Sequence, residues 1–417
     1  GNYTFSATSL PKVNRINRFL PEKISEWPEL PDNAKIAVLL GAHRTFSATE
    51  SEMLEHFVET HDAVVFSDIS SGYHGKFAFG SALACIQLQN NPIRSAFEPD
   101  LVIHVGEMTG DYNTMGFLTG LNCPVWRVSL DGEFRQHFAR LENVFQCSNE
   151  FFFSHYASNK HVESGYRTKW ENYDIQLRKR MPEFPFSNIW MAQQLHSMIP
   201  AGSIAHSAIL SSLSSWDYFP LPKDVRSSAN VGGFGIDGCT STLIGASLSS
   251  HELCFCITGD LAFFYDMNSL GCREIGPNLR ILLINNGLGM TFKLSNHVGS
   301  QIGPSANIFI AAEGHNAAAK SVTGNQSPAR AWAESLGFKY LSASSKEEFN
   351  AAKDIFTSKD SEAPILFECF THEEDERTAR DLIDSIDSRT DSKTQLKKTI
   401  KKVLPKSVID SLKSLRH

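Results

Sequence analysis

The chain lacks a long apolar run. None of its 417 residues falls in a stretch approaching the ~20 consecutive apolar residues that a membrane span needs. It also lacks excess positive charge. Lys and Arg total 39 against 46 Asp and Glu, a net charge of −7, so there is no general basic field for nucleic acid. Its eight cysteines form no Cys-x-x-Cys pair and no regular framework, which argues against a zinc site or a disulfide scaffold. Cys254 and Cys256 alternate with Phe255 in a strand-like run, where a thiol behaves as a small hydrophobe. A reducing, cytoplasmic setting is the expectation. The first residues, G-N-Y-T-F-S, have neither a basic nor an apolar leader region and no Met. This predicts no signal peptide and a processed or truncated chain. No short solenoid-type repeat is present.

What is present is a globular composition, 41% hydrophobic with 27 glycines, long enough for two or three domains. Residues 1–30 read as a Pro-rich lead-in. Over 31–150, the apolar runs 35–40, 63–67, 101–105 and 125–130 alternate with segments of helical spacing such as 47–58. That alternation predicts a parallel α/β sheet. Residues 151–186 are aromatic and basic and read as a linker. A second α/β unit is predicted over 187–375. Its helix starts at Ser187 or Asn188, and its strands fall near 202–207, 226–230, 253–258, 280–285 and 364–370. The fold class expected is α/β with two doubly wound parallel-sheet domains. A charged tail covers 376–417, and its basic amphipathic stretch 393–406 suits peripheral contact with an anionic membrane.

The chemistry gathers at two strand ends. The run L-C-F-C-I leads into T-G-D-L-A-F-F-Y-D-M, and the next apolar run ends in Asn285-Asn286-Gly287. Ligands of open parallel sheets bind beyond the carboxyl ends of the strands. The 25 residues between Asp260 and Asn286 suit one crossover between close neighbours. A carboxylate and an amide oxygen are hard ligands suited to Mg²⁺ or Ca²⁺, and Mg²⁺ usually borrows further oxygens from phosphates. Taken separately, G-D after a strand and N-N-G are ordinary turn signals. Their joint placement is what points to a metal that clamps a diphosphate.

The segment G-D-L-A-F-F-Y-D-M-N-S-L…L-L-I-N-N-G resembles the cofactor motif of thiamine-diphosphate-dependent enzymes. G-G-F-G-I-D-G at 232–238 resembles a second motif, found in the branch that contains 2-succinyl-5-enolpyruvyl-6-hydroxy-3-cyclohexene-1-carboxylate synthase. The resemblance covers about residues 30–375, as a central domain and a diphosphate-binding domain. It implies Mg²⁺ ligation by the Asp260 and Asn286 side chains and the Leu288 carbonyl. It also implies that Ile236, beside Gly235, bends thiamine diphosphate into a V. Gly259 would lie beside the cofactor, Leu261 and Ala262 would offer N–H groups to the diphosphate, and His206 and Ser207 would lie close by. The implied activity is decarboxylation or carboligation of a small 2-oxo acid, by a homodimer or tetramer.

Two departures accompany the resemblance. Val231 stands where that synthase carries a carboxylate-gripping Arg, and Phe234 fills a place that is small there. An aliphatic side chain forms no bidentate pair with a carboxylate, so little turnover of 2-oxoglutarate is expected. The family's activating glutamate belongs to a pyrimidine-binding domain, which is expected outside this chain or on a partner. The turn after the first strand reads G-A-H-R rather than G-x-G-x-x-G, which predicts a structural central domain. Two other readings stand beside the enzyme: a degenerate relative that binds cofactor or partner without turnover, and a plain nucleotide-binding α/β protein.

Overall fold

The computed structural model describes residues 15–135, 137–157, 161–295, 297–313 and 327–387. The first sheet is built from β1 (Asn17–Phe19), β2 (Ile36–Leu40), β3 (Val64–Ser67), β4 (Ala78–Gly80), β5 (Leu101–Val105), β6 (Val125–Ser129) and β7 (Leu141–Gln146). The second holds β8 (Ile204–Ser207), β9 (Arg226–Ala229), β10 (Cys254–Gly259), β11 (Leu279–Asn285), β12 (Lys339–Ala343) and β13 (Ile365–Phe370). Their orders are β1-β7-β6-β5-β2-β3-β4 and β12-β13-β11-β10-β8-β9. Every pairing is parallel. Helices between the strands cover the sheets, which accounts for the almost unbroken apolar character of β2, β5, β10 and β11. The result is two α/β domains.

In the second sheet the chain leaves β8 towards β9 on one side and returns to β10 on the other. That reversal opens a crevice at the carboxyl ends of the central strands. β10 and β11 are direct neighbours, paired from Cys254 with Leu279 through Gly259 with Ile284. The helix Asp260–Asp266 begins at once after β10, which places Asp260 and Asn286 on the same side of the sheet.

Several segments differ from the sequence expectation. Asn17–Phe19, in the lead-in, pairs with β7 at the sheet edge, and Trp27 is buried against the Phe145 ring at 4.9 Å. A three-residue edge strand is too short to show a period. The stretch 151–186, expected as a linker, carries most of the helix Asn149–Tyr156 and all of Tyr166–Arg178. Tyr166, Trp170, Tyr173 and Leu177 follow helical spacing and are buried, so its aromatics fill the core rather than mark a crossing. β4, β7 and β12 are further strands: β4 has only three residues, too few to show a period, and polar residues interrupt the apolar patterns of β7 and β12. The start of the acidic tail lies in the helix Glu373–Asp384, with Glu376, Ala379, Arg380 and Ile383 buried. Arg380 reaches Asn113 of the first domain at 3.1 Å. The basic stretch 393–406 lies outside the described residues.

All eight cysteines are free, seven of them buried. Among the described residues no helix is long and apolar enough to cross a membrane.

Candidate functional site

Asp260 is the first residue of its helix and is almost fully buried. One carboxylate oxygen accepts the Leu261 N–H at 2.7 Å, and the other accepts the Gly287 N–H at 2.6 Å. Gly287 has φ +74°, a left-handed turn that glycine adopts without strain. The Asn286 side-chain oxygen accepts the Leu288 N–H at 3.3 Å. Backbone donors thus hold both side chains at the two strand ends. The later part of the first motif is structural: Asp266 accepts the Ser241 N–H at 2.6 Å, which anchors the start of the helix Cys239–Leu248.

These residues border a cavity of about 330 Å³. Of the residues expected from the sequence, Ile236, Gly259, Asp260, Leu261, Ala262, Asn286 and Leu288 line it. His206, Ser207 and Gly235 do not. His206 is buried between strands, with Nδ1 2.7 Å from the Ser228 hydroxyl and Nε2 2.8 Å from the Asn230 side-chain amide oxygen. Burial lowers its pKa to about 4, opposed by the Asn230 bond. The neutral ring therefore donates from Nε2 to Asn230 and accepts from Ser228, fastening β8 to β9 and the loop beyond. The Ser207 hydroxyl donates to the Ala208 carbonyl at 3.1 Å. A Cβ on Gly235 would meet the Asp237 carboxylate at 2.4 Å. The Leu261 N–H is engaged by Asp260, whereas the Ala262 N–H belongs to a first turn without intrahelical partners.

Val231 is also placed differently from the expectation of an acceptor-pocket residue. It is buried and does not line the cavity, and it lies close enough to Gly110 of the first domain to meet an added Cβ there at 3.1 Å. Phe234 does line the cavity. Sequence reasoning missed Leu210, Ser211, Met290, Thr291 and Phe292 on its wall. The Ser211 and Thr291 hydroxyls meet at 2.8 Å. Leu210 and Phe234 have φ of +67° and +53°, rare for side chains of this size. Strained backbone of this kind often gathers at ligand sites, but nothing in the local sequence signals it. Asn188, a proposed helix cap, lines the cavity, while Ser187 caps the helix by accepting the Trp190 N–H.

Glu376 lies behind this wall. Its carboxylate accepts the Asn188 N–H at 3.0 Å and the Thr371 hydroxyl at 2.8 Å. Burial, reinforced by the charges of Asp375 and Asp260, pushes its pKa up to about 7 against those hydrogen bonds.

Among the described residues no group of three His, Cys, Asp or Glu is arranged to hold a metal. The site instead offers one carboxylate, one amide oxygen and nearby peptide carbonyls. That set fits a hard divalent cation that draws its remaining ligands from phosphate oxygens or water. Room for a ligand, the apolar Ile236 side chain on the wall and open space over Gly259 and Gly287 fit thiamine diphosphate as well.

No family model matches the chain. Curated proteins named 2-succinyl-5-enolpyruvyl-6-hydroxy-3-cyclohexene-1-carboxylate synthase do. The one from Phocaeicola vulgatus is 33% identical over 257 residues, 61% of this chain and 43% of the relative. That of Bacteroides fragilis is 32% identical over 262 residues, 61% and 44% of the two chains. That of Christiangramia forsetii is 34% identical over 191 residues, 46% and 31%. The chain therefore matches less than half the length of each of these relatives. Over the matched stretch it is similar to these synthases, which lie in the branch that its motifs resemble.

Proposed function

We propose that this chain is the C-terminal part of a thiamine-diphosphate-dependent 2-oxo acid decarboxylase or carboligase, and that it binds the cofactor diphosphate through Mg²⁺. The observation that carries the reading is the tie from Asp260 to Gly287 at 2.6 Å, which holds a carboxylate and the Asn286 amide at adjoining strand ends. Asp260, Asn286 and the Leu288 carbonyl would hold the ion. Thiamine diphosphate supplies the carbanion chemistry that 2-oxo acids require. Within this chain, Ile236 would shape the bound cofactor, and Leu210, Phe234, Met290 and Phe292 would keep water from it. The groups that hold the aminopyrimidine, including the activating glutamate, would come from outside these 417 residues, on a further domain or a partner chain.

The apolar wall also bears on the substrate. With Phe234 on the cavity and Val231 in the core, an acceptor more apolar than that of the synthase branch fits best. Calorimetric titration with thiamine diphosphate, with and without Mg²⁺, tests the reading. Mg²⁺-dependent binding is expected, both to this chain and to the chain restored with its upstream region or partner. No binding in either form would reject it.

A further inference from the structure

Glu368 sits in the middle of β13 and is fully buried. Three side chains converge on its carboxylate. One oxygen accepts from the Asn285 amide at 2.8 Å. The other accepts from the Ser327 hydroxyl at 2.5 Å and the Tyr340 hydroxyl at 2.7 Å. Each partner comes from a different element: Asn285 ends β11, Ser327 caps the helix Pro328–Ser335, and Tyr340 lies on β12. Ser327 serves twice, because its oxygen also accepts the Arg330 N–H at 3.0 Å. Glu368 has no place in the cavity wall.

A buried carboxylate is costly unless its oxygens are bonded, and β13 could pack at this position with an apolar residue. The bonded partner matters more than the charge. Asn285 immediately precedes Asn286, and the next residue, Gly287, donates to Asp260. The Asn285 carbonyl is fixed as well, accepting the Thr371 N–H at 3.0 Å. A line of hydrogen bonds thus runs from Glu368 through Asn285 and the turn at 286–287 to Asp260.

We propose that Glu368 is a positioning residue for the cation and diphosphate site. It sets the orientation of Asn285, and thereby the aim of the Asn286 side chain and the Gly287 N–H. Ser327 and Tyr340 hold Glu368 in turn, so the edge strand β12 and the helix at 328 support the turn from behind. The inference rests on the proposed cofactor site. Outer groups that orient metal ligands typically cost about 10–100-fold in metal affinity when removed.

Two measurements on the full chain keep this inference separate from the proposed function. The first is amide hydrogen exchange without ligand. E368A and N285A should raise exchange about tenfold or more over residues 285–288, because the turn loses an anchor of ~1.4 kcal/mol or more. β10 and the first sheet should stay protected. E368Q should behave as wild type: its oxygen can face Asn285 and its amide can donate to the Ser327 and Tyr340 hydroxyls. Exchange that is unchanged, or raised throughout the molecule, overturns the positioning role. If E368A does not fold, N285A and Y340F carry the same measurement. The second is calorimetry with Mg²⁺ and thiamine diphosphate. Affinity should fall about 10–100-fold in E368A and N285A and stay near that of wild type in E368Q. A looser turn with unchanged affinity overturns the inference while leaving the cofactor site in place. A wild type that binds nothing, either alone or restored with its upstream region or partner, rejects the cofactor reading, and with it the role assigned to Glu368.

Discussion

The Asp260 carboxylate accepts the Gly287 N–H at 2.6 Å. The end of one central strand is therefore fastened to the turn that follows its neighbour. Asp260 reads at first as a helix-start residue and Asn286 as part of a turn. The contact makes them one unit, with Asn286 on the same cavity wall as a carboxylate that already has a backbone donor on each oxygen.

Removing the charge with little change of shape tests that unit. Asp260→Asn retains an acceptor for the Gly287 N–H, loses the one for the Leu261 N–H and leaves no anion for the ion. Mg²⁺-dependent binding of thiamine diphosphate should fall at least about 100-fold, beyond the usual cost of losing an outer partner. Asp260→Ala should abolish it. Equal affinities of wild type and Asp260→Asn by calorimetry would remove Asp260 from the metal site.

Ile236 is expected to act on catalysis more than on binding. It lines the cavity before the helix Cys239–Leu248 and packs against the core behind it. Ile236→Ala in the restored, active enzyme should lower kcat by about 100-fold through misplacement of the reacting groups. Cofactor affinity should change only a few-fold, since the diphosphate anchor is untouched. Steady-state kinetics beside calorimetry would show the split; a loss confined to affinity would count against the wedge.

Glu376 predicts a pH dependence of stability. Its carboxyl is pushed from 4.5 to about 7 in the folded chain. Between those values the native state keeps a proton that the unfolded chain has lost. The stability it contributes is fully present below about pH 4.5 and is lost as pH rises through about 7. Glu376→Gln stays neutral, so its stability relative to wild type should improve by on the order of 2–3 kcal/mol between pH 5 and pH 8. Denaturant titrations at both pH values, with chelator present, measure this. Parallel pH dependence in the two proteins would contradict it.

The isolated chain should not turn over 2-oxo acids. A tuned general acid–base group contributes about 10²–10⁴-fold, and the pyrimidine side also positions the cofactor. Assays of the chain alone and restored with its upstream region or partner decide this; equal activity would place the activating glutamate within these residues. Association should accompany restoration. Val298, Ile302, Ile308 and Phe309 expose large apolar surface beside the site, Phe309 at 83%, as a binding face would. Phe309→Asp should weaken association by about tenfold or more in sedimentation experiments, at the scale of an interface residue worth over ~1 kcal/mol. No change would exclude this face.

The local order of residues was enough to place Asp260, Asn286 and the apolar strands that deliver them. Strand ends, helix starts and glycine turns are written in short stretches whose backbone preferences act locally. Ile236 was legible through its motif. Tertiary structure decided the rest. His206 follows a strand pattern into the sheet, but Ser228 and Asn230, more than twenty residues on, turn its ring from the cavity. Val231 borders the motif, yet packing against Gly110 draws it into the core. The aromatics of 166–177 looked like a linker because the pocket that buries them is assembled from distant strands and helices, including Phe66, Phe97 and Phe117 around Trp170. Glu368 shows the same division. Its place in a strand follows from its apolar neighbours, but its partners Asn285, Ser327 and Tyr340 are separated in sequence and meet only when parallel strands fix their register. Hydrogen bonds between remote side chains depend on distances that no local preference encodes, and only the folded sheet sets them.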